Sequence, residues 1–326
     1  MKLEPIRMVL AAAAASAWML ATPATAQNWD MATPYPEANF HEQNILQFAK
    51  DVEQATNGKL TISVHTGNSL IPHPEIKNAV RNGTVPMGEF LLGRLANESP
   101  IYELDLLPFA VDGYGEAKKM WDASRPVIEK KLAQQNLKVL FAVPWPTNGL
   151  YSNKPLESVE DLRGLKLRTY NATTDRLAQL TGAVPTQVEV PDIPQAFATG
   201  RVDALITSAS TGVSISAWDF VKRYTKVNSF LGKNIVVVNA RMFDALSKEE
   251  QDALMKAAAT AEQRGWQLSE QNNADAAKTL AEHQMTVEDA SPELVAGLQK
   301  VGAEMLTEWR KRAGPEGEDI LKAMGK

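Results

Sequence analysis

Four histidines and not one cysteine set the chemistry open to this 326-residue sequence. Without cysteine there are no disulfides, thiolate metal sites or thiol nucleophiles. His41 precedes Glu42, but Ile45 stands where a zinc-protease pattern needs its second histidine, so that pattern fails. His65 and His73 flank a loop of Gly, Asn and Pro, and they read as surface histidines rather than metal ligands. The G-x-S-x-G spacing of a nucleophile elbow does not occur. Gly113-Tyr114-Gly115 is half of a dinucleotide fingerprint, with Lys118 in the place of the third glycine, and is read as a turn. Carboxylate pairs such as Glu249-Glu250 fall on a solvated helical face. These residues point to no enzyme, no metal and no cofactor.

The elements that must position any site alternate between short β-like runs and helical stretches. Strand patterns run from Asn28 to Thr33, Leu60 to His65, Val85 to Leu91 and Leu137 to Val143. Helical patterns separate them, from Asn39 to Thr56, Glu75 to Asn82 and Gly115 to Gln135, with Gly83 placed to end the second. A second unit repeats the grammar. Tyr151 to Asn153 is extended, and a short helix runs from Ser158 to Gly164. Strands follow at Leu165 to Thr169, Val184 to Val188 and Val202 to Thr207, alternating with helices from Thr173 to Thr181 and Pro191 to Ala198. Lys233 to Asn239 is a Val-rich strand. Ser247, with Glu250 three residues on, has capping-box spacing and opens a helix to His283. The tail from Pro292 to Met324 is helical as well. This order argues for an α/β architecture with mainly parallel pairing. A long helix able to reach two such units suggests two lobes and a cleft.

The composition, 44% hydrophobic and 22% charged, fits one large or two ordinary domains with a proper core. A net charge of −5 and the absence of any Lys/Arg run leave no electrostatic basis for nucleic-acid binding. Residues 1–26 read as a signal peptide. Lys2 and Arg7 are followed by an apolar run from Met8 to Leu20, then by Ala24-Thr25-Ala26, small residues suited to a signal peptidase. The mature chain is expected to start at Gln27 and to act in the periplasm. The alternative is an uncleaved anchor.

One stretch is more specific than any of these patterns. Asp161-Leu-Arg-Gly-Leu-Lys-Leu-Arg168 leads through Thr169-Tyr170-Asn171 to Gly182-Ala183-Val184-Pro185, and then to Asp192-Ile-Pro-Gln-Ala-Phe-Ala-Thr-Gly-Arg-Val-Asp203. In this order the segments resemble the DctP-type substrate-binding proteins of TRAP (tripartite ATP-independent periplasmic) transporters. Asn57-Gly58-Lys59, Ala79 to Gly83, Pro108-Phe109 and the Leu246-Ser-Lys-Glu-Glu-Gln251 opening of the long helix extend the resemblance over nearly all of the mature chain. It implies a bilobed periplasmic-binding-protein fold with mixed sheets, hinge strands and a long helix spanning both lobes. The first lobe would take 27–147 plus 235–272, and the second 148–234 plus 273–326. Hinges are expected near Pro146–Gly149 and Lys233–Ile235. The partners implied are a small organic acid and the small and large TRAP membrane subunits.

The resemblance makes Arg168 the residue that grips a ligand carboxylate. A planar guanidinium at a strand end suits that role, because its two N–H groups match two carboxylate oxygens. Thr207 replaces an asparagine of the family pattern, and Ser208 follows it. Asn148 stands about where some sugar-acid binders carry a second arginine. A neutral amide suits a hydroxyl or keto oxygen, which favours a monocarboxylate, with aromatic, 2-oxo and hydroxy acids as the candidates. The alternatives are a C4-dicarboxylate or sugar-acid receptor of the same system and, in a different class, a periplasmic enzyme acting on an organic acid. Tyr35, Phe90, Trp145, Tyr170 and Trp218 are candidate faces for a flat ligand body, while Phe40 reads as core. Asn234 is a candidate hinge-side hydrogen-bond donor.

Overall fold

The computed structural model describes residues 26–326. The expected signal peptide ends at Ala26, and its residues 1–25 lie outside the described residues. The chain runs through β1 (Gln27–Ala32), α1 (Phe40–Ala55), β2 (Leu60–His65), α2 (His73–Asn82), β3 (Met87–Leu91), α3 (Gly113–Ala133) and β4 (Leu137–Pro144). It continues with β5 (Asn148–Ser152), β6 (Lys166–Thr169), α4 (Ala172–Leu180), β7 (Val184–Gln187), α5 (Ile193–Ala198), β8 (Ala204–Ser208), α6 (Ala209–Ser214) and β9 (Arg223–Lys226). The last elements are β10 (Lys233–Asn239), α7 (Ala240–Asp244), α8 (Lys248–Glu282), β11 (Thr286–Asp289) and α9 (Pro292–Ala323).

Local chemistry sets several of these boundaries. The Asn39 side chain accepts the His41 N–H at 3.0 Å and starts α1. Gly83 ends α2 in a left-handed conformation (φ 78°) that a side chain would strain. The capping box expected at α8 is present: Ser247 Oγ accepts from Glu250 N, and the Glu250 carboxylate accepts from Ser247 N at 2.9 Å.

The strands form two sheets, ordered β2-β1-β3-β10-β4 and β11-β9-β5-β8-β6-β7. Two α/β lobes with mixed sheets were expected, and two are present. Five of the nine pairings among the described residues are parallel, as the element order suggested, while β10 runs antiparallel to β3 and β4, and β5 antiparallel to β8 and β9. The cause is the connection between lobes. The chain passes straight from β4 into β5 and returns from β9 to β10 without the helical crossover that parallel neighbours require. Four short elements escaped the sequence reading: β9 and β11, which pair with each other at one end of the second sheet, α6, whose Ser, Thr and Gly have weak helix propensity, and the five-residue α7.

The two crossings lie side by side. Lys233 is in register with Pro144, the Trp145 N–H donates to Gly232 O at 2.7 Å, and the Asn228 N–H donates to Asn148 O at 2.8 Å. At Gly232 a Cβ would lie 2.4 Å from Leu106 Cδ2, so a larger residue there would have to displace that side chain. The long helix α8 packs on α1 and β4 of the first lobe and on α6 and β11 of the second. Asn273, within α8, accepts from both Thr147 N (3.1 Å) and Thr147 Oγ1 (2.7 Å), which ties the helix to the first crossing. The end of α9 reaches back to the first lobe, with Trp309 Nε1 donating to Pro100 O at 2.6 Å and Lys131 pairing with Glu316. The last turns of a segment expected in the second lobe therefore touch the first.

Candidate functional site

The cleft between the lobes measures about 550 Å³, counting space open to solvent. Strand ends, the crossings and the first turns of helices line it, as expected for α/β sheets that present their loops to a ligand. Tyr35, Trp145, Asn148, Arg168, Tyr170, Thr207 and Ser208, all singled out in the sequence, meet there.

Arg168 is the chemical centre of the cleft. It lies on β6, is 2% exposed, and donates from Nε to Val188 O at 2.8 Å. Its guanidinium carbon sits 4.6 Å from the centroid of the Tyr170 ring. No ion pair to a protein carboxylate involves Arg168 among the described residues. Burial pushes the guanidinium down to about 10, and the neighbouring Tyr170, Glu189 and Tyr35 oppose the shift only in part.

A second cation, Arg94, enters from a 3-10 turn of the first lobe, Leu92–Leu95. Its Nη1 donates to Tyr170 O at 2.9 Å and lies 2.9 Å from Glu189 Oε1. Glu189 belongs to the second lobe, between β7 and α5. Its other oxygen takes a hydrogen bond from His73 Nδ1 at 3.1 Å. The His73 Nε2 accepts the Leu91 N–H at 3.3 Å, so the ring is neutral with its proton on Nδ1. Burial, which pulls the His73 value down, agrees with that tautomer. Burial pushes the Glu189 carboxyl up, but the His73 hydrogen bond and the two arginines outweigh it and hold the group at about 2. Two arginines thus face one carboxylate, and the lining of the cleft keeps one uncompensated positive charge.

The opposite wall is aromatic and amide. The Trp145 ring meets Tyr35 edge-on at 4.9 Å, and Trp145 Nε1 donates to Asn234 Oδ1 at 2.8 Å. The Tyr35 hydroxyl donates to the same oxygen at 3.2 Å. Asn234 therefore stands behind this wall, its Oδ1 accepting from both rings and its buried Nδ2 without a protein partner. Asn148 Oδ1 is fixed by Ser229 N (2.8 Å) and Oγ (3.1 Å), while its buried Nδ2 has no protein partner. Ser208 Oγ accepts from Thr211 N at 3.2 Å and so starts α6 at the cleft floor.

Two expected residues lie elsewhere. Phe90 is 1% exposed in the first-lobe core, paired with Ile235, and the next residue, Leu91, is the one that lines the cleft. Successive strand residues point to opposite faces, so an aim one residue off selects the wrong side. Trp218 stacks on His283, with centroids 3.8 Å apart and planes 8° from parallel, near the end of α8. The surface assignment of His73 is also corrected: the ring is 5% exposed and faces the cleft. Arg94, Glu189, Thr211 and Phe230 line the cleft without having been singled out. The available signal was a lone charge inside an apolar run, Leu91-Leu-Gly-Arg94-Leu for one and Val188-Glu189-Val190 for the other. Among the described residues no group of three or more His, Cys, Asp or Glu could hold a metal ion.

Two α/β lobes with a cleft between them, lined by a buried cation, are the arrangement of a solute-binding protein. A family model described as bacterial extracellular solute-binding protein, family 7, or DctP, matches residues 31–312, and the chain belongs to that family. The similarity to solved structures is high. DctP7 of Bordetella pertussis, an extracytoplasmic solute receptor binding pyroglutamic acid, is 41% identical with a TM-score of 0.91, over 92% of this chain and all of that one. DctP6 of the same organism, also binding pyroglutamic acid, is 42% identical with a TM-score of 0.90, over 91% of this chain and 99% of that one. A marine metagenome TRAP solute-binding protein specific for pyroglutamate is 36% identical with a TM-score of 0.90, over 92% and 99% of the two chains. The DctP resemblance read from the sequence is borne out, as is the bilobed α/β fold.

Proposed function

We propose that this protein is the periplasmic receptor of a TRAP transporter, that it captures a small monocarboxylate of the pyroglutamate kind, and that it hands this acid to the small and large membrane subunits. The observation that carries the ligand reading is Arg168, buried at the mouth of β6 without a protein carboxylate. Pyroglutamate presents one carboxylate, a carbonyl acceptor and a flat five-membered ring. Arg168 suits the first, the unpartnered Asn148 Nδ2 the second, and the Trp145 and Tyr35 rings the third. A micromolar ligand represents about −8 kcal/mol, of which one charge-assisted hydrogen bond supplies about 1.5–3. The remaining contacts and the exclusion of water must therefore carry much of the affinity. Capture works by closure, since a ligand that bridges the lobes binds the closed state more tightly than the open one.

The reading is binding without turnover. The acid and the imidazole of the cleft are engaged: Glu189 is held as a carboxylate by His73 and Arg94, and both nitrogens of His73 are occupied. The Ser208 hydroxyl is committed to Ser210, Thr211 and the start of α6.

A thermal-shift panel tests the ligand class, with pyroglutamate, aromatic monocarboxylates, 2-oxo acids, sugar acids and C4-dicarboxylates offered to the protein and to Arg168→Ala. A ligand at about 100 times its Kd adds about 2.7 kcal/mol of stability, enough for a clear rise in melting temperature. The expected result is a rise with pyroglutamate that disappears in Arg168→Ala. A rise that survives the substitution would remove Arg168 as the anchor.

A further inference from the structure

The second arginine of the cleft has a counter-ion, and that counter-ion comes from the other lobe. Arg94 and His73 belong to the first lobe and Glu189 to the second, yet all three line the same cavity as Arg168. The two arginines converge on one residue. Arg94 donates to the Tyr170 carbonyl, and Arg168 lies over the Tyr170 ring. A ligand held by Arg168 is therefore within one residue's reach of Arg94. Without Glu189, the lining would present two cations side by side, the arrangement that suits a doubly charged acid. With Glu189, Arg94 is already paired, and a second ligand carboxylate would meet the like charge of Glu189 in a poorly solvated space, where repulsion is strong. The other buried cation nearby, Lys233, is matched by Asp105 at 3.2 Å and leaves this balance unchanged.

We propose that Glu189 is a charge filter: by occupying Arg94 it limits the receptor to singly charged acids and turns doubly charged ones away. The proposal rests on the functional reading above, that the cleft binds a carboxylate at Arg168. It separates two roles for two similar side chains. Arg168 takes the ligand carboxylate, and Arg94 serves the selection of which acids enter. Glu189 touches no reacting group in this account; it acts on the ligand through charge, and on Arg94 by direct pairing.

The test is calorimetric titration of the wild type, Glu189→Gln, and the double variant Arg94→Gln/Glu189→Gln. The probes are pyroglutamate and glutarate, a five-carbon diacid of similar size. The wild type is expected to favour pyroglutamate. In Glu189→Gln the ratio of the two affinities should move toward glutarate by about tenfold or more, the scale of one charge-assisted hydrogen bond. The double variant has the wild-type charge in the cleft, so its ratio should return toward pyroglutamate. A purely structural role for Glu189 would weaken both acids together in both variants and leave the ratio unmoved, which overturns the filter alone. Glu189→Gln that binds neither acid overturns it as well. A wild type that binds no acid overturns the functional reading and the filter with it, and a wild type that prefers glutarate overturns the filter directly.

Discussion

Each lobe buries a cation on a strand beside the cleft, and the two are treated in opposite ways. Lys233 opens β10 in the first sheet, is 2% exposed, and has Asp105 3.2 Å from its ammonium. Asp105 also accepts the Lys233 backbone N–H at 2.8 Å, although burial lifts its carboxyl above the usual range. Arg168 on β6 of the second sheet is buried to the same degree and has a backbone carbonyl, a tyrosine ring and no acid. A structural cation brings its own counter-charge. Arg168 carries a desolvation cost with no protein acid to offset it, a cost that fits its proposed role as the ligand anchor.

The sharpest break of this comparison is Asp105→Asn. Removing one member of a buried pair leaves the other uncompensated, and the expected loss is about 3–5 kcal/mol in denaturant unfolding. The double variant Asp105→Leu/Lys233→Met should recover most of it, because neither charge is then stranded. Arg168→Met gives the mirror image. Acid binding should weaken by about 2–5 kcal/mol in titration calorimetry, while the ligand-free protein melts no lower than the wild type. A marked drop in its melting temperature would show that Arg168, like Lys233, is structural. A smaller effect comes from Glu189, whose side chain stays a quarter exposed. Its carboxyl is held at about 2 against an ordinary 4.5. A carboxyl held low in the folded state adds stability above its ordinary value and loses it as pH falls toward the folded value. The difference in unfolding midpoint between wild type and Glu189→Gln should then be constant above about pH 5 and vanish between 4.5 and about 2. Smallest is Thr207→Val, which removes a cleft-lining hydroxyl that donates to no protein group among the described residues. Affinity should fall by about 0.5–1.5 kcal/mol with stability unchanged.

Arg168 was legible because it sits in a run of residues, Asp161 to Arg168, whose order is distinctive. The lobes and the long helix were legible from periodicity and capping, as Ser247 and Glu250 show. The trio of His73, Arg94 and Glu189 was not. Its members lie on α2, on a 3-10 turn and past the end of β7, and no spacing in the chain connects them. Only the approach of the two lobes brings Glu189 within 3.1 Å of both His73 and Arg94. The error at Phe90 has a different origin. Every residue of β3 is buried, so exposure patterns could not tell which face meets the cleft. The strands β9 and β11 were too short and polar to stand out, and their pairing depends on a partner more than 60 residues away.

The position of β10 bears on when the molecule can take shape. It lies between β3 and β4, with Asn234 opposite Leu91 and Val143. The first sheet therefore lacks an interior strand until residues 233–239 have left the ribosome, after the whole second α/β run has been made. Pairing across so long a stretch of chain is slow. For a chain expected to carry a signal peptide, this order of synthesis delays completion of the first sheet until most of the chain has been made.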